Sequence, residues 1–340
     1  MAVCCVFSCK AQQVRELHTF FKTYAQLSER EIRSIVQGRA VAKILPSNDP
    51  NQIFVFGAVY IHADPEEYLE LEMDVERLKS LPQYVGAKKL GEPPLLSDLD
   101  GFTLDADDVK SLQSCKIGDC DVQLPAEAIE DFRKRIDWSK NDVATQVNVQ
   151  FQRIAFETLQ RYRQGGNDAL GAYHDQDEPS NISKYFRSLL DRSAALPSYL
   201  PELKRFLLDY PKAEAKNMEE MFYWERVKFG LKPTLRLNHA VAYRLDGPRL
   251  ETRVLAIKQL YASHYFQVAL DLNVCVRDTH VLAGTGFFLI SLKGSRQVGL
   301  TGFKGSLLRR VVTNKTRSGQ ESALANIKRS LEMKRARVSK

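Results

Sequence analysis

The side chains best suited to chemistry sit on strand-like runs late in the chain. Thr234–Leu245 alternates with a period of two. Leu235, Leu237, His239, Val241, Tyr243 and Leu245 share one set of positions; Arg236, Asn238 and Arg244 share the other. The next run, Arg253–Val276, is too long for one straight strand and is expected to bend or break near Ser263. Within it Leu260, Ala262, His264, Phe266, Val268 and Leu270 fall on one face, with Lys258, Tyr261 and Tyr265 close by. His239 and His264 thus stand on otherwise apolar strand faces. In an apolar pocket such residues are the few placed polar groups that orient a ligand. An imidazole titrates near neutrality and can also act as a general acid or base. The plain alternative for each is a core residue hydrogen-bonded to backbone. The tetrad Met221-Phe222-Tyr223-Trp224, just upstream, reads as an aromatic plug, or as a ligand platform if it borders a pocket.

Other chemistries lack their residues. Gly284-Thr285-Gly286 has no third glycine, and no Gly-x-x-x-x-Gly-Lys-Ser/Thr, Gly-x-Ser-x-Gly or His-Glu-x-x-His run occurs, so no cofactor is expected. Two histidines without a third ligand do not make a metal site. The acidic stretch Asp98-Leu99-Asp100-Gly101 fails the spacing of a calcium loop, which leaves Asp105, Asp107 and Asp108 as helix-start residues. Cys115 and Cys120 flank a Gly-Asp turn, a spacing that suits a small disulfide loop in an oxidising compartment. Cys275 reads as a buried apolar residue. The first eleven residues, MAVCCVFSCKA, are apolar and cysteine-rich, like the back half of a bacterial secretion signal. Val6-Phe7-Ser8-Cys9 is similar to a lipobox, which makes Cys9 a lipidation candidate. The expectation is an exported protein, periplasmic or anchored as a lipoprotein. The alternative is a cytoplasmic protein with an apolar N-terminus, since the apolar run is short and no Lys or Arg precedes it.

The elements that position these residues are legible in outline. Of the 340 residues 44% are apolar and 27% charged, with only 13 Pro and 18 Gly, which excludes collagen-like, low-complexity and disordered chains. No stretch approaches the roughly 18 apolar residues of a membrane span. Residues 13–38 read as two helices, the second opened by a capping box at Ser28-Glu29-Arg30-Glu31 and stopped by Gly38. Ala40–Leu45 and Gln52–His62 read as strands, the second apolar on both faces. Asp64 then caps a helix that has Pro65 in its first position and runs to about Ser80. Gln83–Leu90 and Ile117–Leu124 are further strand candidates. From Pro125 to Phe229 amphipathic helical patterns dominate. Gly286–Lys293 reads as a last strand, and a long helix follows from about Phe303 to Arg335. Residues 301–340 carry eleven Lys/Arg against Glu321 and Glu332, a net +9, so the remainder of the +7 chain sums to −2. That helix could attract anionic lipid headgroups or nucleic acid, or could simply be a solvated face. Without interleaved aromatics, nucleic acid is the least favoured partner.

The order of strand, Pro-capped helix, antiparallel strands and long terminal helix resembles the START-like, or helix-grip, superfamily of hydrophobic-ligand carriers and cyclases. The residues that carry the resemblance are Phe54-Val-Phe-Gly-Ala-Val-Tyr-Ile-His-Ala-Asp-Pro-Glu-Glu-Tyr68, similar to the superfamily's first strand and helix start, together with Thr234–Arg335. The resemblance implies an α+β fold in which a curved antiparallel sheet grips the C-terminal helix around an apolar tunnel. On that basis residues 1–12 are a signal-like or disordered N-terminus and 13–124 open the domain. Residues 125–230 form a helical insertion or lid, and 231–337 complete the sheet and terminal helix. The implied function is to bind or carry a lipid or other hydrophobic molecule, with docking on an anionic membrane surface. His239, Tyr243, Tyr261, His264, Phe266, Tyr223 and Trp224 are the expected ligand-binding residues. The alternative is an enzyme of the same superfamily, a cyclase or hydrolase using the cavity His and Tyr side chains as acid and base.

Overall fold

The computed structural model of the protein describes residues 17–193, 199–214, 216–228, 232–247, 250–278, 286–300 and 302–338; Cys9 and the signal-like segment 1–12 lie outside them. A helical stretch over residues 17–23 leads to α1 (Glu29–Val36), where Ser28 and Glu31 complete the capping box read from the sequence. β1 (Val41–Leu45) and β2 (Gln52–Ile61) follow, and every residue of β2 is buried, as an apolar strand covered on both faces must be. Asp64 accepts from the Glu66 amide at 2.8 Å and Pro65 opens α2 (Pro65–Met73). The helix expected to reach Ser80 stops at Met73. Asp74 there caps a second short helix, α3 (Val75–Leu78), by accepting from the Glu76 and Arg77 amides.

β3 (Tyr84–Lys89) leads into the helical part of the chain: α4 (Ala106–Leu112), α5 (Ala126–Arg135), α6 (Val143–Gly165), a two-residue ribbon of β4 (Ala172–Tyr173) and β5 (Ser180–Asn181), α7 (Ile182–Arg192) and α8 (Pro201–Asp209). The strand expected at Ile117–Leu124 is instead a turn closed by the Cys115–Cys120 disulfide, with Gly118 at φ +87° and a single bridge from Lys116 to Asp119. The chain then re-enters the sheet as β6 (Met218–Lys228), β7 (Pro233–Asp246), β8 (Leu250–Ala262), β9 (Phe266–Asp278) and β10 (Phe287–Gln297), and ends in α9 (Gly302–Val338). The helical segment thus ends at Asp209 rather than near 230. Met221 to Trp224 are all buried, so β6 shows no alternation from which a strand could be read. The expected break near Ser263 is the β8–β9 turn, with Tyr265 at φ +63°.

The eight long strands form one antiparallel sheet in the order β1-β2-β10-β9-β8-β7-β6-β3, curved and not closed. Helices cover both of its faces. On the first, the segments between residues 17 and 36 and between 96 and 210 pack on Phe54, Phe56, Phe222, Trp224, Leu237, Val241, Val254 and Leu272. On the second, α2, α3 and α9 pack on Val59, Ile61, Ala87, Met221, Tyr223, Ala240, Leu255, Cys275 and Leu289. α9 lies across β1 and β2, where the absent side chain of Gly57 makes room for it; a Cβ there would stand 2.7 Å from Leu324. This arrangement of curved sheet and terminal helix is compatible with a helix-grip fold.

The helical segment is anchored at a backbone contact as well. Gly166, at φ +68° and ψ −148°, ends α6 in a conformation open only to glycine, and a Cβ there would lie 1.9 Å from the Tyr210 carbonyl oxygen. Gly166→Ala is expected to cost about 2 kcal/mol or more of stability, read as a fall in the urea midpoint. An unchanged midpoint would contradict this placement of α6 against the end of α8.

Candidate functional site

Register decides where the polar residues of the sheet go, because paired residues point to the same side. On β7 the odd positions face the large helical segment, and the side chains expected to bind a ligand reach across to it one by one. His239 is fully buried, its Nδ1 3.0 Å from the Tyr162 hydroxyl and its Nε2 2.8 Å from the Glu220 carboxylate. A neutral ring with its proton on Nε2 satisfies both contacts. Burial holds its pKa below the usual histidine value against the pull of Glu220. The ring stacks on Phe222 at 4.6 Å and leans on Tyr210 at 4.8 Å. Tyr243 donates to Glu202 of α8 at 2.6 Å, and Tyr261 donates to the Gln123 carbonyl at 2.9 Å. Trp224 donates to the Asp98 carbonyl at 2.9 Å. His264, in the β8–β9 turn, places Nε2 2.8 Å from Asp108 and Nδ1 3.0 Å from the Asp121 carbonyl. Lys232 reaches the same Asp108 at 3.1 Å. Burial would raise the Asp108 carboxyl, but these two partners outweigh it and hold it low. His239 and His264 therefore belong to separate networks, each with both ring nitrogens engaged.

Lys258, the register partner of His239, is the most costly of these groups. It is fully buried, donates to the Asn167 side-chain oxygen, and lies over the rings of Tyr162 (4.3 Å) and Phe186 (4.2 Å). Asn167 in turn donates to the Leu207 and Leu208 carbonyls at the end of α8. Among the described residues no carboxylate pairs with the amine, and burial pushes its pKa well below that of a free lysine.

The second face carries a different polar cluster, built from the even positions of β7. Arg236 pairs with Glu225 of β6 at 2.9 Å, and Asn238 stands between its register partners Tyr223 and Gln259. Lys293 of β10 pairs with Asp271 of β9 at 2.6 Å, and Ser291 donates to Asn273 beside them at 2.5 Å. The Phe266 ring lies 6.0 Å from the Arg236 guanidinium. Burial pushes the Glu225 carboxyl above its usual range against the opposing pull of the paired Arg236 guanidinium. Five buried atoms here complete no hydrogen bond of good geometry: Thr234 Oγ1, Arg236 Nε, both polar atoms of Asn238, and Gln259 Oε1, although the Asn238 amide lies near enough to Glu225 to draw its carboxyl pKa down. The side chains of Thr234, Asn238 and Gln259 are no more than 1% exposed. Of the ligand-binding residues expected from the sequence, Tyr223 and Phe266 adjoin this cluster, and the others serve the opposite face. Arg236, Asn238, Gln259, Glu225, Asp271 and Lys293 were missed. Their only sequence signal was their polarity, which on an alternating strand reads as a solvent side.

An open groove of about 560 Å³ runs along the start of α7, lined by Asp168, Asn181, Ser183, Lys184, Arg187, Ser188 and Asp191; it is polar and far from an apolar tunnel in character. A void of about 10 Å³ beside Tyr261 and Phe151 is the size of one water. Among the described residues no group of three or more His, Cys, Asp or Glu is placed to hold a metal ion, and no helix is long and apolar enough to cross a membrane. No protein-family model matches the chain, and no curated protein matches it.

Lys258 gives a direct check on the buried network. Its folded pKa is depressed, so between that value and 10.5 the unfolded chain binds a proton that the folded chain does not, and stability rises with pH. Lys258→Met should remove up to about 1.4 kcal/mol per pH unit from that slope. Urea midpoints of both proteins across pH 7 to 9 measure it, and parallel slopes would mean that the amine is solvated.

Proposed function

We propose that this protein is a START-like binding protein that holds a lipid or other hydrophobic molecule on the second face of the sheet, with the ligand's polar end at Arg236, Asn238 and Gln259. The observation that carries the reading is the set of five orphaned buried polar atoms on that face. An unmet buried donor or acceptor costs about 1–3 kcal/mol, so five along β7 and β8 on one face favour a partner beyond the chain's own groups. The helix-grip arrangement supports it from the fold.

Two further features agree with an exported carrier that meets membranes. The Cys115–Cys120 disulfide fits an oxidising compartment. On α9, Leu307, Leu308 and Val311 are exposed among Arg310, Lys315 and Arg317, which suits an anionic membrane surface. The acid–base alternative draws no such support, because His239, His264 and Tyr243 are each engaged in separate contacts between sheet and helices.

The deciding experiment is native mass spectrometry of the protein purified from its own host, followed by organic extraction. A hydrophobic molecule at near one-to-one stoichiometry is expected. Protein that is empty, and that takes up nothing from a lipid extract of the same host, would overturn the reading.

A further inference from the structure

The orphaned atoms also describe the group that would meet them. Arg236 Nε and Asn238 Nδ2 are donors, Asn238 Oδ1 and Gln259 Oε1 are acceptors, and Thr234 Oγ1 can be either. Exchanging the amide atoms does not alter this. Asn238 offers one donor and one acceptor in either orientation, and the Gln259 amide nitrogen is fixed by its bond to the Phe266 carbonyl at 3.0 Å. The formal charges of the cluster, meanwhile, are already matched: Arg236 with Glu225, Lys293 with Asp271. A carboxylate brought here would find no unpaired cation and would face the Asn238 and Gln259 oxygens. An ammonium would find no unpaired carboxylate and would leave the Arg236 and Asn238 donors unmet. Either ion would be an uncompensated buried charge.

We propose that the polar end of the ligand is uncharged and carries both a donor and an acceptor, as a hydroxyl or an amide does; this rests on the binding reading above. The site thus selects a neutral amphiphile over a fatty acid or a fatty amine of the same chain. Selection follows from what a misfit leaves unpaired, which discriminates more sharply than apolar contact does.

The test uses the full chain and three probes with one hydrocarbon tail, 1-oleoylglycerol, oleate and oleylamine, titrated below their aggregation limits at pH 8. 1-Oleoylglycerol is expected to bind at least about tenfold more tightly than either ion. Equal or tighter binding of oleate or oleylamine overturns the uncharged head group and leaves the binding reading standing. Failure of all three, with host-purified protein also empty, overturns both. A molecule extracted from the host-purified protein is a second readout: an uncharged head group supports the proposal and an ionised one overturns it. Asn238→Leu keeps the shape and removes two orphaned atoms. It is expected to weaken 1-oleoylglycerol by about tenfold while the urea midpoint holds or rises, since replacing an unmet polar group by an apolar one relieves the folded state. Unchanged binding overturns the proposal. Thr234→Val, closer still in shape, repeats the test should Asn238→Leu fail to fold.

Discussion

A sheet covered by helices on both faces has no side on which a polar residue can simply meet water, and the rest of this structure follows from that. Every charged or amide side chain on β6 to β10 away from the rims must be paired within the protein or leave its donors and acceptors unmet. The two faces answer this requirement differently. On the first, His239, Lys258, Tyr243, Tyr261 and His264 find partners on the segments packed above them, while Gln52 Oε1 and Arg296 Nε at the strand ends stay incomplete. On the second, the two ion pairs are made within the sheet, between neighbouring strands, and the amides and hydroxyl beside them are left incomplete.

The first face shows what the histidines, tyrosines and lysine are for. His239 meets Tyr162 of α6, Lys258 meets Asn167 just after α6, Tyr243 meets Glu202 of α8, and Tyr261 and His264 meet the segment that follows the disulfide. Apolar burial alone would let the helical segment slide over the sheet with little penalty, because one Leu–Phe contact resembles the next. A buried hydrogen bond has one partner and one geometry, so a displaced helix would strand both ends of it. These side chains thus fix where the 96–210 segment sits.

The second face is where unmet polar groups weigh against stability. Marginal stability, of order 5–15 kcal/mol for a folded domain, leaves little room for several unmet polar groups without a gain elsewhere. Local disagreement between a residue and its surroundings is characteristic of a site that something else completes. The charges there are balanced and the hydrogen bonds are not, which separates the groups that hold the strands together from those whose hydrogen bonds stay incomplete.

Local signals were sufficient where the physics is local. The caps at Ser28 and Asp64, the stop at Gly38, the period of two in β7, the turn after Ser263 and the small loop closed by Cys115 and Cys120 all depend on a few adjacent residues, and each was legible in the sequence. So was the α+β order of elements with its long terminal helix. The side of the sheet was not. Alternation divides β7 into two sets but does not say which set faces which neighbour. With one apolar set and one containing Arg236 and Asn238, the natural assignment puts the second in water. Helices from distant parts of the chain bury both sets, so the groups that looked solvated became the candidate site and the histidines became anchors. The strand character of Met218–Lys228 was hidden for the same reason, since a strand buried on both sides loses its period. Only tertiary packing decides what lies above each face, and here that decided which polar groups are paired and which stay incomplete.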